Sequence, residues 1–149
     1  MIVRNAGIQD IEKLAELFDA YRVFYEKDPD LNEAKKFLSE RITNKESWII
    51  VATEKDALIG FVQLYPIFSS TRMKKLWLLN DLFVDENHRG KGISKILIEK
   101  CKDLCKNTEA CGLMLETAKT NTTGNSLYIK TGFSLDENHN YYSWDVGKL

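Results

Sequence analysis

The fold is decided by residues 76–101, which read LWLLNDLFVDENHRGKGISKILIEKC. Residues 76–84 are a nearly continuous apolar run, which is typical of a central strand buried on both faces. The turn over residues 85–92 contains two glycines and leads directly into an amphipathic helix, whose apolar stripe begins at Ile93. A buried strand that passes through such a turn into a helix indicates an α/β domain.

Periodicity predicts the remaining elements on either side of this segment. Before it we expect a strand at 2–5, helices with apolar stripes at 8–25 and 34–42, a hairpin of strands at 48–52 and 58–64, and a loop at 66–74. After it we expect a strand at 113–116, a helix from about 123 to 131, and a strand pair at 133–135 and 141–146. Pro29 and Pro66 are placed at turns. The predicted order is β-α-α-β-β-β-α-β-α-β-β, an α/β domain with a mixed sheet.

Length and charge set the class of protein. The 149 residues are expected to form a single domain, 1–149. A balance of 21 basic against 22 acidic residues gives a net charge of −1, which argues against a nucleic acid or an anionic membrane as partner. No apolar run approaches the ~18–20 residues of a membrane helix, and charge appears too early for a signal peptide. A cytoplasmic protein is the expectation.

The cysteines are Cys101, Cys105 and Cys111, and no pair has CxxC spacing. His88 and His139, the only histidines, both fall in predicted loops. This pattern favours reduced cysteines and no metal site. It also argues against a zinc enzyme or a histidine-dependent nucleophile.

The turn before the helix has the chemistry of an anion site. Gly90 and Gly92 let the backbone turn tightly and approach a ligand, while Arg89 and Lys91 add positive charge. The first amides of the helix have no intrahelical acceptor, so a pyrophosphate would suit them. A plain glycine turn is the alternative. A Rossmann dinucleotide site would need a third glycine, and the Walker pattern is absent.

Residues 79–101 resemble motif A of the GCN5-related N-acetyltransferases (GNAT superfamily), whose signature is [Q/R]-x-x-G-x-[G/A]. Arg89 and Gly92 match it, and Ser94 stands where the family has Gly or Ala. The resemblance implies acetyl-CoA as cosubstrate. It implies that the end of the strand pairs with the pantetheine arm and that loop amides bind the pyrophosphate. The implied contacts are Leu82, Phe83, Val84, Arg89, Gly90, Lys91, Gly92, Ile93 and Ser94.

A second segment is similar to the family's N-x-x-A-x-x-L-Y-x-x-x-G-F region. Asn121, Tyr128 and Gly132-Phe133 match it, and Gly124 replaces the usual Ala. The resemblance implies that Tyr128 protonates the departing thiolate, the alternative being a tyrosine packed as core. For Asn121 it implies either a hydrogen bond to the pantetheine arm or a cap of the helix.

Acetyl transfer to an amine also needs a group that removes the proton of the acceptor amine. Asp81 in the central strand and Glu116 at the end of the next are the candidates. A structural hydrogen-bond acceptor is the alternative role for each, since a buried carboxylate needs water or a polar partner. Polyamine acetyltransferases carry acidic residues at the place of Asn80-Asp81, and here only Asp81 keeps a charge.

The sequence therefore predicts an acetyl-CoA-dependent N-acetyltransferase that acts by direct attack of a primary amine, with no metal. A small amine such as a polyamine, an amino acid or an aminoglycoside-like compound is the expected acceptor. A lysine or N-terminus of a protein is the alternative. A non-catalytic acyl-CoA-sensing module and an interaction domain that never binds CoA remain further hypotheses. Family resemblance also implies a homodimer formed through residues 141–146.

Overall fold

Five strands form one mixed sheet in the order β1-β2-β3-β4-β5. The computed structural model describes residues 1–147. The strands are β1 (Ile2–Asn5), β2 (Trp48–Glu54), β3 (Ala57–Ser69), β4 (Lys74–Val84) and β5 (Leu113–Met114). Neighbours from β1 to β4 are antiparallel, whereas β5 runs parallel to β4. The prediction of an α/β domain with a mixed sheet is confirmed.

Residues 1–147 also form four α-helices. They are α1 (Ile11–Phe24), α2 (Leu31–Thr43), α3 (Ile93–Asn107) and α4 (Thr122–Lys130). Asp30 caps α2, because its carboxylate accepts a hydrogen bond from the Glu33 amide at 3.2 Å. Near the start of α1, Asp10 likewise accepts from the Gly7 amide at 2.8 Å.

The chain divides into two compact units. The first, Met1–Glu116, contains the sheet and helices α1 to α3, and the second begins at Thr117 and contains α4. The expectation that residues 1–149 form one domain stays a prediction.

Helices cover both faces of β3. On one face, α1 and α2 bury Leu14 and Leu38 against Val51 and Phe61, and none of these four side chains is exposed. On the other face α3 approaches Gly60, where an added Cβ would lie 3.4 Å from both Ile93 and Leu97. A strand covered on both faces accounts for the continuous apolar sequence of β3.

Pro66 lies within β3, so the prediction of a turn there was wrong. The predicted loop over residues 66–74 is instead a long antiparallel hairpin in which Pro66 pairs with Trp77 of β4. The pairing of β2 with β3 ends at Leu64, so β3 has a neighbour on one side only at this point. Proline is tolerated at such an edge because its missing N–H is not needed by a second strand.

The predicted strand pair at 133–135 and 141–146 does not form in the described part of the chain. Asp136 instead organises this segment locally, since its carboxylate accepts hydrogen bonds from the amides of Asn138 and His139. Leu135, Tyr142 and Trp144 are 73%, 90% and 84% exposed. A two-stranded pair needs a packed apolar face for stability, and these side chains lack one.

Candidate active site

The loop after β4 has the backbone that its glycines predict. Gly90 and Gly92 adopt left-handed conformations with φ of 79° and 78°, which glycine reaches without steric cost. A Cβ added at either position would meet nothing within 4 Å. The glycines are therefore required by the backbone angle, and the space over them is open to a ligand.

Helix α3 begins directly at this loop with a terminus suited to an anion. Gly92 is its N-cap and offers no side-chain cap, and the first turn contains no acidic residue. The first backbone bond to the cap runs from the Ile96 amide to the Gly92 carbonyl at 3.3 Å. The amides before Ile96 thus point out of the helix as donors, in the positive end of its dipole.

Arg89 is held in place by contacts that the sequence did not predict. Its Nε donates to the Val84 carbonyl at 3.0 Å. Its guanidinium lies 5.2 Å from the ring centre of Phe24 and 5.3 Å from that of Phe83. These distances are within cation–π range, so Arg89 ties the loop to the end of β4 and to α1.

The loop residues predicted to bind acetyl-CoA are adjacent in space as well as in sequence. Arg89, Gly90, Lys91 and Gly92 are exposed, Ser94 is half-buried, and Ile93 is buried under the sheet. The side chain of Ile93 is therefore core, so any contact it makes with a ligand is through its backbone.

The end of β4 presents an unpaired edge. Strand β5 pairs with β4 only at Trp77 and Leu78, and among residues 1–147 no strand pairs with that edge of β4 beyond Leu78. Leu82, Phe83 and Val84 lie in this part of the strand. Its backbone groups can thus pair with an extended ligand. The predicted strand over residues 113–116 is limited to Leu113–Met114.

Asp81 is the buried carboxylate of the site, with 5% of its surface exposed. It lies beside a bulge, because Gln63 pairs with Asp81 whereas Leu64 pairs with Leu79, which leaves Asn80 as the extra residue. Its Oδ2 accepts from Gln63 Nε2 at 2.7 Å and its Oδ1 from Asn80 Nδ2 at 3.0 Å. The Tyr21 hydroxyl is a third hydrogen-bond partner. The expectation of a polar partner for a buried carboxylate therefore holds for Asp81.

Burial raises the pKa of the Asp81 carboxyl above its ordinary value of 3.8. The hydrogen bonds from Gln63, Tyr21 and Asn80 act in the opposite direction, because they favour the ionised form. A carboxylate with a raised pKa and ordered donors is suited to accept a proton.

Glu116 differs from Asp81 in its surroundings. It is exposed and follows the end of β5, outside the strand that was predicted to carry it. The sequence made Asp81 and Glu116 equal candidates for the proton acceptor. In the structure Asp81 is buried and hydrogen-bonded, whereas Glu116 is exposed. Gln63 was missed as a site residue. A glutamine inside the apolar strand IGFVQLY was the available signal for it.

Asn121 caps helix α4 in the second unit. Its Oδ1 accepts from the Gly124 amide at 3.1 Å and its Nδ2 donates to Thr117 Oγ1 at 2.9 Å. A Cβ at Gly124 would lie 2.4 Å from Asn121 Nδ2, so the glycine that replaces the family's alanine leaves room for this cap. Of the two roles that the resemblance implied for Asn121, capping is thus present.

Tyr128 lies on α4 and is half-buried. Its ring contacts Phe133 at a centroid distance of 5.7 Å with an angle of 70° between the rings. Its carbonyl accepts from the Phe133 amide at 2.9 Å, which closes the end of the helix. The ring of Tyr128 therefore packs against Phe133. This packing leaves open a separate catalytic role for the Tyr128 hydroxyl.

Comparison with known proteins identifies the family. The model of the Acetyltransferase (GNAT) family matches residues 11–133. The chain is 40% identical over 146 residues to the uncharacterised N-acetyltransferase YhfO of Bacillus subtilis, covering 98% of each protein. It is 34% identical over 128 residues to a probable acetyltransferase of Haemophilus influenzae, covering 85% of this chain and 86% of the relative. A crystal structure of a probable acetyltransferase superposes with a TM-score of 0.94 at 33% identity over 100% of both chains.

The chain belongs to the GNAT family. The resemblance inferred from the two motifs is confirmed, and this GNAT protein is an N-acetyltransferase. Acetyl-CoA is the cosubstrate that the family generally uses. Within residues 1–147, no three His, Cys, Asp or Glu side chains are grouped so as to hold a metal ion.

Replacing Gly92 tests the loop of this GNAT enzyme. We expect Gly92→Val to weaken acetyl-CoA binding by about 10–100-fold, because the side chain would project into the open space where phosphates approach the amides. A branched residue at a φ of 78° also costs about 1–2 kcal/mol of stability. Calorimetric titration measures the affinity, and thermal unfolding measures the strain.

Lys45→Val is the matched control. Lys45 is exposed in the turn after α2 with a φ of 54°, so the substitution places the same branched side chain in a left-handed conformation away from the loop. It should lower Tm by less than Gly92→Val, because Lys45 already carries a Cβ, and it should leave acetyl-CoA affinity intact. Unchanged affinity in folded Gly92→Val protein would remove the pyrophosphate site from this loop.

Proposed function

We propose that this GNAT enzyme transfers an acetyl group from acetyl-CoA to a primary amine by direct attack, without a covalent enzyme intermediate. The observation that carries the proposal is that one strand, β4, holds the buried Asp81 carboxylate and runs directly into the glycine loop. Acetyl-CoA supplies the activated acyl group as a thioester. The chain must therefore hold both reactants and manage two protons.

The geometry of the loop and of β4, together with the family resemblance, supports the following binding roles. The backbone edge at Leu82, Phe83 and Val84 pairs with the pantetheine arm. The amides around Gly90, Gly92 and Ser94 receive the pyrophosphate, with Arg89 and Lys91 adding charge. Asn121 stabilises the start of α4 through the bond from the Gly124 amide. A hydrogen bond from Asn121 to the pantetheine arm is proposed on the family resemblance alone.

Asp81 is the proposed proton acceptor, and Glu116 is the second candidate. Asp81 takes the proton that the amine loses, directly or through water, since burial makes its carboxylate more basic than an exposed one. Tyr128 is the proposed acid that returns a proton to the sulfur. Its position in the second motif of the family supports this role.

The acceptor is proposed to be a small amine, with a protein lysine or N-terminus as the alternative. A thiol-release assay with acetyl-CoA tests this on a polyamine, an amino acid, an aminoglycoside and a lysine-containing peptide. Release with a small amine is the expected result. Release with the peptide alone would favour the alternative. Tight acetyl-CoA binding with no release on any amine would identify an acyl-CoA-sensing module instead.

Asp81→Asn separates the two candidate proton acceptors. Because Asp81 must be ionised to accept a proton and its pKa is raised, kcat/KM should fall as pH drops through that pKa. We expect the variant to lose this low-pH limb and about 10²–10⁴-fold in rate, with a smaller loss in Glu116→Gln. Asp103→Asn, an exposed aspartate on α3, is the matched control. A larger loss in Glu116→Gln would transfer the role to Glu116.

Tyr128→Phe tests the acid. The ring and its contact with Phe133 are kept while the proton is lost, so kcat should drop about 10²-fold and acetyl-CoA affinity should hold. Phe133→Leu is the control for packing, since it weakens the ring contact but keeps the hydroxyl. It should lower Tm with little change in kcat. Turnover near that of the wild type in Tyr128→Phe would mean that the acid is water or another group.

The remaining proposals concern the whole protein. We propose that the chain is a single domain, because the family match spans both compact units. We also propose that the protein is cytoplasmic, which its three free cysteine thiols support.

No helix among residues 1–147 is long and apolar enough to cross a membrane. A nucleic acid is not expected as a partner. The exposed Tyr141, Tyr142, Trp144 and Val146 support a homodimer, and light scattering at micromolar concentration measures its mass.

A further inference from the structure

Three hydrogen-bonded polar side chains link the start of β2 to β3 and β4, and this series ends on Asp81. The Ser47 hydroxyl, just before β2, donates to Gln63 Oε1 at 2.8 Å. Gln63 Nε2, on β3, donates to Asp81 Oδ2 on β4 at 2.7 Å. We call these three residues the polar chain. Gln63 is its centre and is 0% exposed.

The apolar core alone does not explain Gln63. Its neighbours Val62 and Leu64 are fully buried, and a primary amide in such a place costs free energy unless both its ends are bonded. Both ends are bonded here. Across residues 1–147, no buried side-chain nitrogen or oxygen lacks a hydrogen-bond partner.

The ionised Asp81 carboxylate decides which way the amide of Gln63 points, because it only accepts hydrogen bonds, whereas the Ser47 hydroxyl can donate or accept. The NH₂ group of Gln63 therefore faces Asp81, and its amide oxygen accepts from Ser47. Rotating the amide by half a turn would place its oxygen against a carboxylate oxygen. The polar chain is therefore ordered for the ionised state of Asp81.

The groups that bond to the Asp81 carboxylate are all neutral, namely the amides of Gln63 and Asn80 and the Tyr21 hydroxyl. Hydrogen bonds thus supply the stabilisation that a cation would otherwise give. The bond from Gln63 Nε2, at 2.7 Å, is shorter than the bond from Asn80 Nδ2, at 3.0 Å, and it lowers the pKa of Asp81 against the effect of burial.

We propose that Gln63 is a positioning residue for proton transfer: its amide, held at the other end by Ser47, fixes the Asp81 carboxylate and keeps it available as proton acceptor. This inference rests on the proposed function of Asp81. It adds a residue on β3, and a second one before β2, to a reaction otherwise assigned to β4 and the loop after it.

Two tyrosines are the other titratable groups that lie close to Asp81. Tyr21 faces it from α1 and Tyr65 from β3. Burial, with the nearby Asp81 charge, raises the pKa of Tyr65 to about 12, and Arg41 of α2 opposes that rise. Tyr65 therefore stays neutral where Asp81 titrates.

Gln63→Met tests the inference, because it keeps most of the volume and removes the donor. We expect the pKa of Asp81 to rise by about one to two pH units, as expected for the loss of a hydrogen bond to a charged group. The low-pH limb of kcat/KM should move upward by the same amount, with KM for acetyl-CoA unchanged. Carboxyl ¹³C NMR measures the pKa directly, with the Asp81 signal assigned by its absence in Asp81→Asn.

Two further variants keep the test decisive. Ser47→Ala is nearly isosteric and should fold, and it should shift the pKa of Asp81 in the same direction by a smaller amount. Val51→Ala truncates a fully buried side chain of the same core, so it should lower Tm without moving the pKa or the limb.

The outcomes separate the inference from the proposed function. An unchanged pKa of Asp81 in Gln63→Met and Ser47→Ala would overturn the positioning role, whatever the enzyme acetylates. A raised pKa without a shift of the kinetic limb would also overturn it, since Asp81 would then not be the proton acceptor. Failure of the proposed function would be shown by a different experiment, the thiol-release assay, if the wild-type protein released no thiol with any amine.

Discussion

A buried carboxylate must receive its hydrogen bonds from the protein, because water does not reach it. Asp81 on β4 is such a carboxylate, and the residues that contact it have to supply those bonds. The sheet meets this requirement with a glutamine where an apolar residue would otherwise stand, a tyrosine from α1 and an asparagine in a bulge. Each of these residues is costly or unusual by itself. Together they give one buried acid an ordered set of donors, which is the arrangement that a proton acceptor needs.

The same strand sets the geometry of the loop that follows it. Strand β5 pairs with β4 for only two residue pairs, so the later part of β4 keeps a free backbone edge in the described region. The loop then turns through two left-handed glycines into α3. Arg89 fixes this turn through the Val84 carbonyl and the rings of Phe24 and Phe83. A loop tethered in this way would need little reordering to receive the proposed pyrophosphate, and such preorganisation favours affinity.

Local patterns were reliable where the structure depends on neighbours in sequence. The strand, the glycine turn and helix α3 were predicted because their hydrophobic period and backbone demands are local. The prediction of a strand pair near the C-terminus was wrong. An alternating pattern indicates strand propensity, but it does not show that a second strand will pair with the segment. The prediction of a turn at Pro66 was wrong for a related reason. Pro66 fits within β3 because the pairing of β2 with β3 ends at Leu64, and the residues around Pro66 carry no information about where that pairing ends.

The sequence by itself determined the family, through two motifs, and the strand, loop and helix that carry the candidate site. It also nominated two carboxylates as proton acceptors and had no means of ranking them. Only the tertiary structure decided that Asp81 is buried and bonded while Glu116 is exposed. The physical reason is distance along the chain. Gln63 lies 18 positions from Asp81 and 16 from Ser47, so the hydrogen bonds that define the site exist only once β-strand pairing brings them together.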